Sequence, residues 1–235
     1  MTELNEIKKV LTNASDEKYR EFSSKLINNS ALPLLGVRLP ELRKIAADVY
    51  KNGEAQEFLD ACDFSSVEMC LLYSYVLGKV KGDIGSLLPL FDRAAAKVDN
   101  WCTCDILCQS FKQSKNAKPE VFAHMLSFLS TGETFYMRIA VVMMMCHFLN
   151  DEYIDRVLEA LNKYKNDGYY YKMGAAWCTA SAMAKYPEKT YNLLENCKFD
   201  DWTFNKAIQK MLESRCIPDS DKIKLKAMKR KKPMS

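Results

Sequence analysis

The sequence predicts an all-α chain, an α-solenoid of about six helical pairs in a single curved domain, and three observations carry that prediction. Apolar residues recur three and four apart, as in Leu71, Leu72, Tyr75, Val76 and again in Ile139, Val142, Met143, Cys146, which is the period of a helix and not the alternation of a strand. Glycine and proline are scarce, eight and seven in 235 residues, and are expected to mark helix ends rather than interrupt them. The turn-like stretches CDFS, KVDN, STGE, KNDG and KFDD start at 62, 97, 130, 165 and 198. That near-regular spacing leaves room for two helices of roughly 10 to 15 residues between marks, the unit of a helical repeat array.

Taken in order, the N-terminal MTELNEIKKVL is amphipathic and charged, unlike the apolar core of a secretory signal. No run of about 18 apolar residues follows it anywhere, so a soluble, cytoplasmic chain that does not engage membranes is expected, acting as a monomer. The helix after KVDN is expected to be capped by Asp99. The helix after STGE carries Arg138 and then the apolar run IAVVMMM, whose Met143, Met144 and Met145 read as core filler. The helix after KNDG opens YYYKMGAAW, bringing Lys172 and Trp177, with at least one of Tyr169, Tyr170 and Tyr171 facing the core. Residues 1–221 form the repeat domain, and 222–235 a basic C-terminal tail.

Charge is divided unevenly. The tail KIKLKAMKRKKPMS carries seven Lys or Arg and no acid, so subtracting it from the formal +4 leaves −3 on residues 1–221. Such a tail either contacts phosphates through counterion release or is a solvated helix end with cations at its negative pole. Nine cysteines, an odd number, fit reduced thiols in a reducing compartment better than a disulfide framework.

In a solenoid the groove is lined by one helix of each pair, and function is expected there. Trp101 and Asp105 fall one turn apart on one helix face. Arg138 and Trp177 follow on later repeats, so the three helices are expected to converge on a groove. Two indole faces with a carboxylate attract a cation, a preorganised carboxylate stabilises a cation that develops during reaction, and an arginine suits a phosphate. Cleavage of the N-glycosidic bond of an alkylated purine in DNA joins those features, because the base is cationic and the sugar passes toward an oxocarbenium ion. The residues alone leave the plain alternative open, in which both tryptophans are core and Asp105 pairs with a lysine.

The segments VDNWCTCD, FYMRIAVV and YYYKMGAAW, flanked by LLGVRLPELRKIA (Leu34 to Ala46) and FNKAIQK (Phe204 to Lys210), resemble in order and spacing those of the bacterial DNA alkylation repair family of HEAT-like repeat glycosylases. The resemblance runs from about residue 15 to 220. It implies a HEAT-like α-solenoid and a glycosylase that removes positively charged N3- and N7-alkylated purines from double-stranded DNA, with no metal, no small-molecule cofactor and no base flipping. It implies that Asp105 is catalytic, stabilising the sugar cation and placing the water, that Trp101 and Trp177 pack against the damaged nucleotide, and that Arg138 holds the backbone.

One position departs from the pattern. Relatives of this kind carry an arginine three residues after the second tryptophan, where this chain has Ala180. Lys172, Lys206, Lys210 and Arg215, with Lys112, Lys115 and Lys118, are the candidates for gripping the DNA backbone in an otherwise acidic body. Cys102, Cys104 and Cys108 lack the looped, four-ligand arrangement of a closed zinc site. His124 and His147 stand apart from any Cys or Asp partner for nucleophilic catalysis, and no glycine-rich phosphate loop appears. The rival to an enzyme is a catalytically silent solenoid that binds nucleic acid or a protein partner through the same groove, or a scaffold that makes its contacts with the basic tail.

Overall fold

A computed structural model describes residues 2–27, 30–115 and 117–230. Among them are fourteen α-helices and no strand: α1 Thr2–Asn13, α2 Glu17–Leu26, α3 Leu39–Lys51, α4 Ala55–Ala61, α5 Val67–Leu77, α6 Ile84–Ala95, α7 Trp101–Ser110, α8 Lys118–Ser130, α9 Thr134–His147, α10 Ile154–Lys163, α11 Tyr169–Lys185, α12 Pro187–Asn196, α13 Asp201–Glu213 and α14 Asp219–Ala227. A 3-10 turn, Lys112–Lys115, follows α7. No helix among the described residues is long and apolar enough to cross a membrane.

The fold is all-α and carries the stacking of a solenoid within each of two compact units, residues 1–117 and 118–235. In the first unit α3 packs on α5 and α5 on α7, with α4 and α6 as second members of the pairs. In the second unit α9 packs on α11 and α11 on α13, with α8, α10, α12 and α14 in the partner positions. The repeating marks each precede a helix of these rows: α5, α7, α9, α11 and α13 open at 67, 101, 134, 169 and 201.

Among those row helices α5, α7 and α9 are the most deeply buried, which is why their apolar pattern is dense. Every residue of α5 is buried except Tyr75, and Met137 through Met144 are buried without a break in α9. Met143 and Met144 are wholly inside, while Met145 is half-buried. The outer α10 shows the opposite pattern, burying Ile154, Val157, Leu158 and Leu161 along one stripe and leaving its charges in water.

Side chains from one turn bind the backbone of a neighbouring turn. Glu68, buried in α5, accepts hydrogen bonds from the amides of Leu35 (2.9 Å), Gly36 (2.7 Å) and Val37 (3.3 Å). Arg93 donates to the Leu59 carbonyl at 2.8 Å. In the second unit the Asn166 amide donates to the Gly132 carbonyl at 2.6 Å, and Asn162 accepts from the Lys198 amide at 2.8 Å. These polar pairs, buried or half-buried in the first unit and exposed in the second, tie neighbouring repeats together and hold register where apolar packing alone would allow sliding.

Two expectations need correction. Pro89 lies inside α6 and does not mark an end. Both Pro89 and Gly85, the residue whose carbonyl the missing N–H would have met, are exposed, so water replaces the lost hydrogen bond. The cap of α7 is Asn100 and not Asp99, for a reason that belongs to the site below. At the C-terminus, position 222 falls within α14, and Lys231 and Lys232 of the basic segment lie outside the described residues.

Candidate nucleic-acid site

The local structure around Asp105 starts at the turn before it. Asn100 is extended and wholly buried, and its side-chain oxygen accepts from the amides of Cys102 and Thr103, both at 3.0 Å. Two of the four orphan donors at the start of α7 are satisfied there. Asp99 is drawn the other way. Its carboxylate accepts from the Ala31 amide at 2.7 Å and from the Ser30 hydroxyl at 3.0 Å, so it fastens the segment ahead of α3 onto the start of α7.

That anchoring fixes Trp101. Its indole Nε1 donates to the Leu26 carbonyl, the last residue of α2, at 3.0 Å, and the ring is 37% exposed. One turn later Asp105 is 7% exposed, inside a run from Cys102 to Cys108 that is buried throughout. The first unit thus places an indole at the surface and a carboxylate just beneath it on one helix. Burial raises the Cys102 thiol to about 12, and the negative charges of Asp105 and Glu68 add to that effect. The neighbouring sulfur stays a neutral thiol at physiological pH.

In the second unit Arg138 is 3% exposed, and its Nη1 donates to the Tyr170 carbonyl at 3.0 Å. Gly174 makes that approach possible: a Cβ there would lie 3.0 Å from Val141 Cγ2 and 3.4 Å from Arg138 Cγ. The arginine therefore holds the first turn of α11. Trp177, two turns further along, is half-buried, with the Lys210 ammonium 5.9 Å from its ring centroid. A cavity of about 550 Å³ opens beside them, lined among others by Ala180, Ser181 and Glu213. Ala180 is 6% exposed and its methyl leaves that space unfilled.

The other basic candidates divide by their partners. Lys172 lies 3.9 Å from the Asp200 carboxylate and over the Trp202 ring at 5.4 Å. Lys118 pairs with Glu152 at 3.6 Å, and Lys206 donates to the Gln209 side chain at 3.2 Å. Arg215 and Lys112 are exposed, and the side chain of Lys115 lies outside the described residues. Of the three consecutive tyrosines, Tyr171 turns inward and donates to the Tyr164 carbonyl at 2.6 Å, whereas Tyr169 is 56% exposed and meets Trp202 edge-on at 5.7 Å. Trp202 follows the mark KFDD as Trp101 follows KVDN, but its place beside Tyr169 follows only from the packing of α11 on α13. Among the described residues no group of three His, Cys, Asp or Glu side chains is placed to hold a metal, and Cys102, Cys104 and Cys108 are buried and not in disulfides.

A family model described as DNA alkylation repair enzyme matches residues 7–211. The chain belongs to that family. Membership makes it an enzyme of DNA alkylation repair with DNA as its substrate, and the match takes in all four residues from Trp101 to Trp177 discussed above. No curated protein matches the sequence.

Proposed function

We propose that this member of the alkylation repair family is a DNA glycosylase that hydrolyses the N-glycosidic bond of positively charged N3- and N7-alkylated purines. The observation that carries the reading is the buried carboxylate of Asp105 one turn beneath the surface indole of Trp101.

In the proposed reaction the bond between C1′ and the purine nitrogen breaks with its electron pair going to the base. The alkylated base leaves neutral, so no strong general acid is needed, and the positive charge passes to the sugar. Asp105, held by burial in a medium of low effective dielectric, interacts with that charge more strongly than a solvated carboxylate would. Water then adds at C1′ and releases a proton. The Trp101 ring, fixed through its Nε1, offers a face to the cationic nucleotide; Trp177 of the second unit, with Lys210 near its ring, is a proposed substrate contact in its own right. No metal and no extrusion of the base enter the proposal. Arg138, buried behind the Tyr170 carbonyl, acts by positioning α11 and by its charge rather than as a mobile clamp. Arg215 and Lys210 are the proposed backbone contacts of the second unit, with Lys172 and Lys206 tempered by their own partners.

Charge selectivity tests this reading. Single-turnover reactions with duplexes carrying 7-methylguanine or 3-methyladenine should release base. Identical duplexes carrying the neutral lesions hypoxanthine or uracil should not. Release of neutral bases at comparable rates would contradict electrostatic catalysis. Binding of DNA with release of nothing would favour the silent binding module, which the unfilled space at Ala180 supports.

A further inference from the structure

The first unit holds a cationic cavity in which Lys112, already a candidate for the DNA backbone, is joined by Arg43 and Lys79. A cavity of about 390 Å³ lies between α3, α5 and α7, lined by Arg43, Tyr75, Lys79, Gln109, Ser110 and Lys112, with no carboxylate on its wall. We propose that it is a phosphate pocket that seats a backbone phosphate of the strand whose nucleotide lies against Trp101 and Asp105; this rests on the proposed function above.

Register is the first argument. Trp101, Asp105 and Gln109 follow one another at four-residue steps, so they share a face of α7 with about 5.4 Å between turns. A nucleotide set on the first two therefore has its neighbouring phosphate near the third.

Charge is the second. In a body of net −3, three cations line one cavity, and among the described residues none of Arg43, Lys79 and Lys112 pairs with a carboxylate. Lys118, Lys172 and Lys189, by contrast, face Glu152, Asp200 and Asp155. Lys79 and Lys112 also follow the C-termini of α5 and α7, where cations are favoured in any case. That explanation does not extend to Arg43, which sits mid-helix on α3 with its guanidinium 5.5 Å from the Tyr75 ring centroid. Nor are the α5 carbonyls short of partners, since Ser74, Val76 and Leu77 accept from the amides of Gly78, Lys79 and Val80 and from the Gln113 side chain.

The third argument is construction. Gly78 brings the end of α5 onto the end of α7 so closely that a Cβ there would lie 2.4 Å from the Ser110 carbonyl oxygen. The Tyr75 hydroxyl is buried with the Arg43 guanidinium beside it, and it has no protein acceptor for its own proton. A buried donor without an acceptor is costly, and a phosphate oxygen entering among these cations supplies the acceptor.

The test is equilibrium binding of the full chain to a short duplex with a tetrahydrofuran abasic-site analogue across a range of KCl. Parent, Arg43→Ala, Lys112→Ala and Lys44→Ala are compared, and 7-methylguanine release at saturating protein is measured alongside. The expected result is affinity about tenfold weaker for Arg43→Ala and a slope of log affinity against log salt lower by about one. Lys44→Ala, whose side chain lies near Glu41 instead, should behave as the parent. An unchanged slope for Arg43→Ala overturns the pocket while leaving the glycosylase reading intact if release persists. A reduced slope in a protein that releases no base supports the pocket and overturns that reading. Inorganic phosphate is the second arm: if it shifts the Gly78 and Ser110 amide resonances while Arg43→Ala binds DNA like the parent, the pocket takes a free ion only and the proposal is overturned.

Discussion

Asn100 and Trp101 are single residues on which the position of Asp105 depends. Replacing Asn100 by Ala removes two amide acceptors at the start of α7 and should cost about 1 kcal/mol, read as a lower urea midpoint with an unchanged slope. Replacing Trp101 by Phe keeps an aromatic face but loses the hydrogen bond to Leu26. Stability should fall by no more than ~1 kcal/mol, while release of 7-methylguanine should slow by about tenfold because the ring is no longer held. Equal rates for Trp101→Phe and parent would mean that the anchoring is incidental. The spacing of Trp101 and Asp105 was open to inspection in the sequence, as was a cap before α7. The choice of Asn100 over Asp99 was not, since both are good caps and the decision is made by Ser30 and Ala31, nearly seventy residues upstream. The Leu26 carbonyl was equally hidden, because a backbone acceptor has no side-chain signature.

Helix α13 shows the same economy at the level of an element. Asp200 caps it through the Thr203 amide at 3.1 Å and also accepts from the Thr203 hydroxyl. Burial pulls the Asp200 carboxyl upward, but the two Thr203 hydrogen bonds and the Lys172 cation outweigh it and hold the group below the usual carboxylate range. The folded protein therefore binds this proton more weakly than the unfolded chain. The contribution is complete above about pH 4 and disappears as pH falls through the lowered value. Asp200→Ala should lower stability by about 1 kcal/mol at pH 7 and by less at pH 2.5; a loss independent of pH would assign the effect to packing. Helix type and the starts of the row helices were readable because the apolar period and the turn marks agree. Pro89 misled because its cost depends on which face of α6 meets water, and no local pattern states that.

For the whole molecule, burial sorts the nine thiols. Cys146 and Cys216 are exposed and Cys197 half-buried, whereas the other six are buried. A thiol reagent should modify two cysteines rapidly in the native protein and all nine after unfolding; fast reaction of more than three would contradict the packing described. The family was within reach of the sequence because five segments stand in order, although each is weak alone. Pairing was beyond it: Lys172 with Asp200, Arg138 with the Tyr170 carbonyl, and the unpaired cations around Tyr75 depend on which helices stack. Of all these statements the role of Asp105 is central, and the direct measurement is single-turnover release of 7-methylguanine by Asp105→Asn beside the parent, with affinity for abasic-site DNA measured on both. The account predicts a rate at least 100-fold lower, about 2.7 kcal/mol of lost transition-state stabilisation, with affinity within threefold. A variant that releases the base as fast as the parent would contradict it.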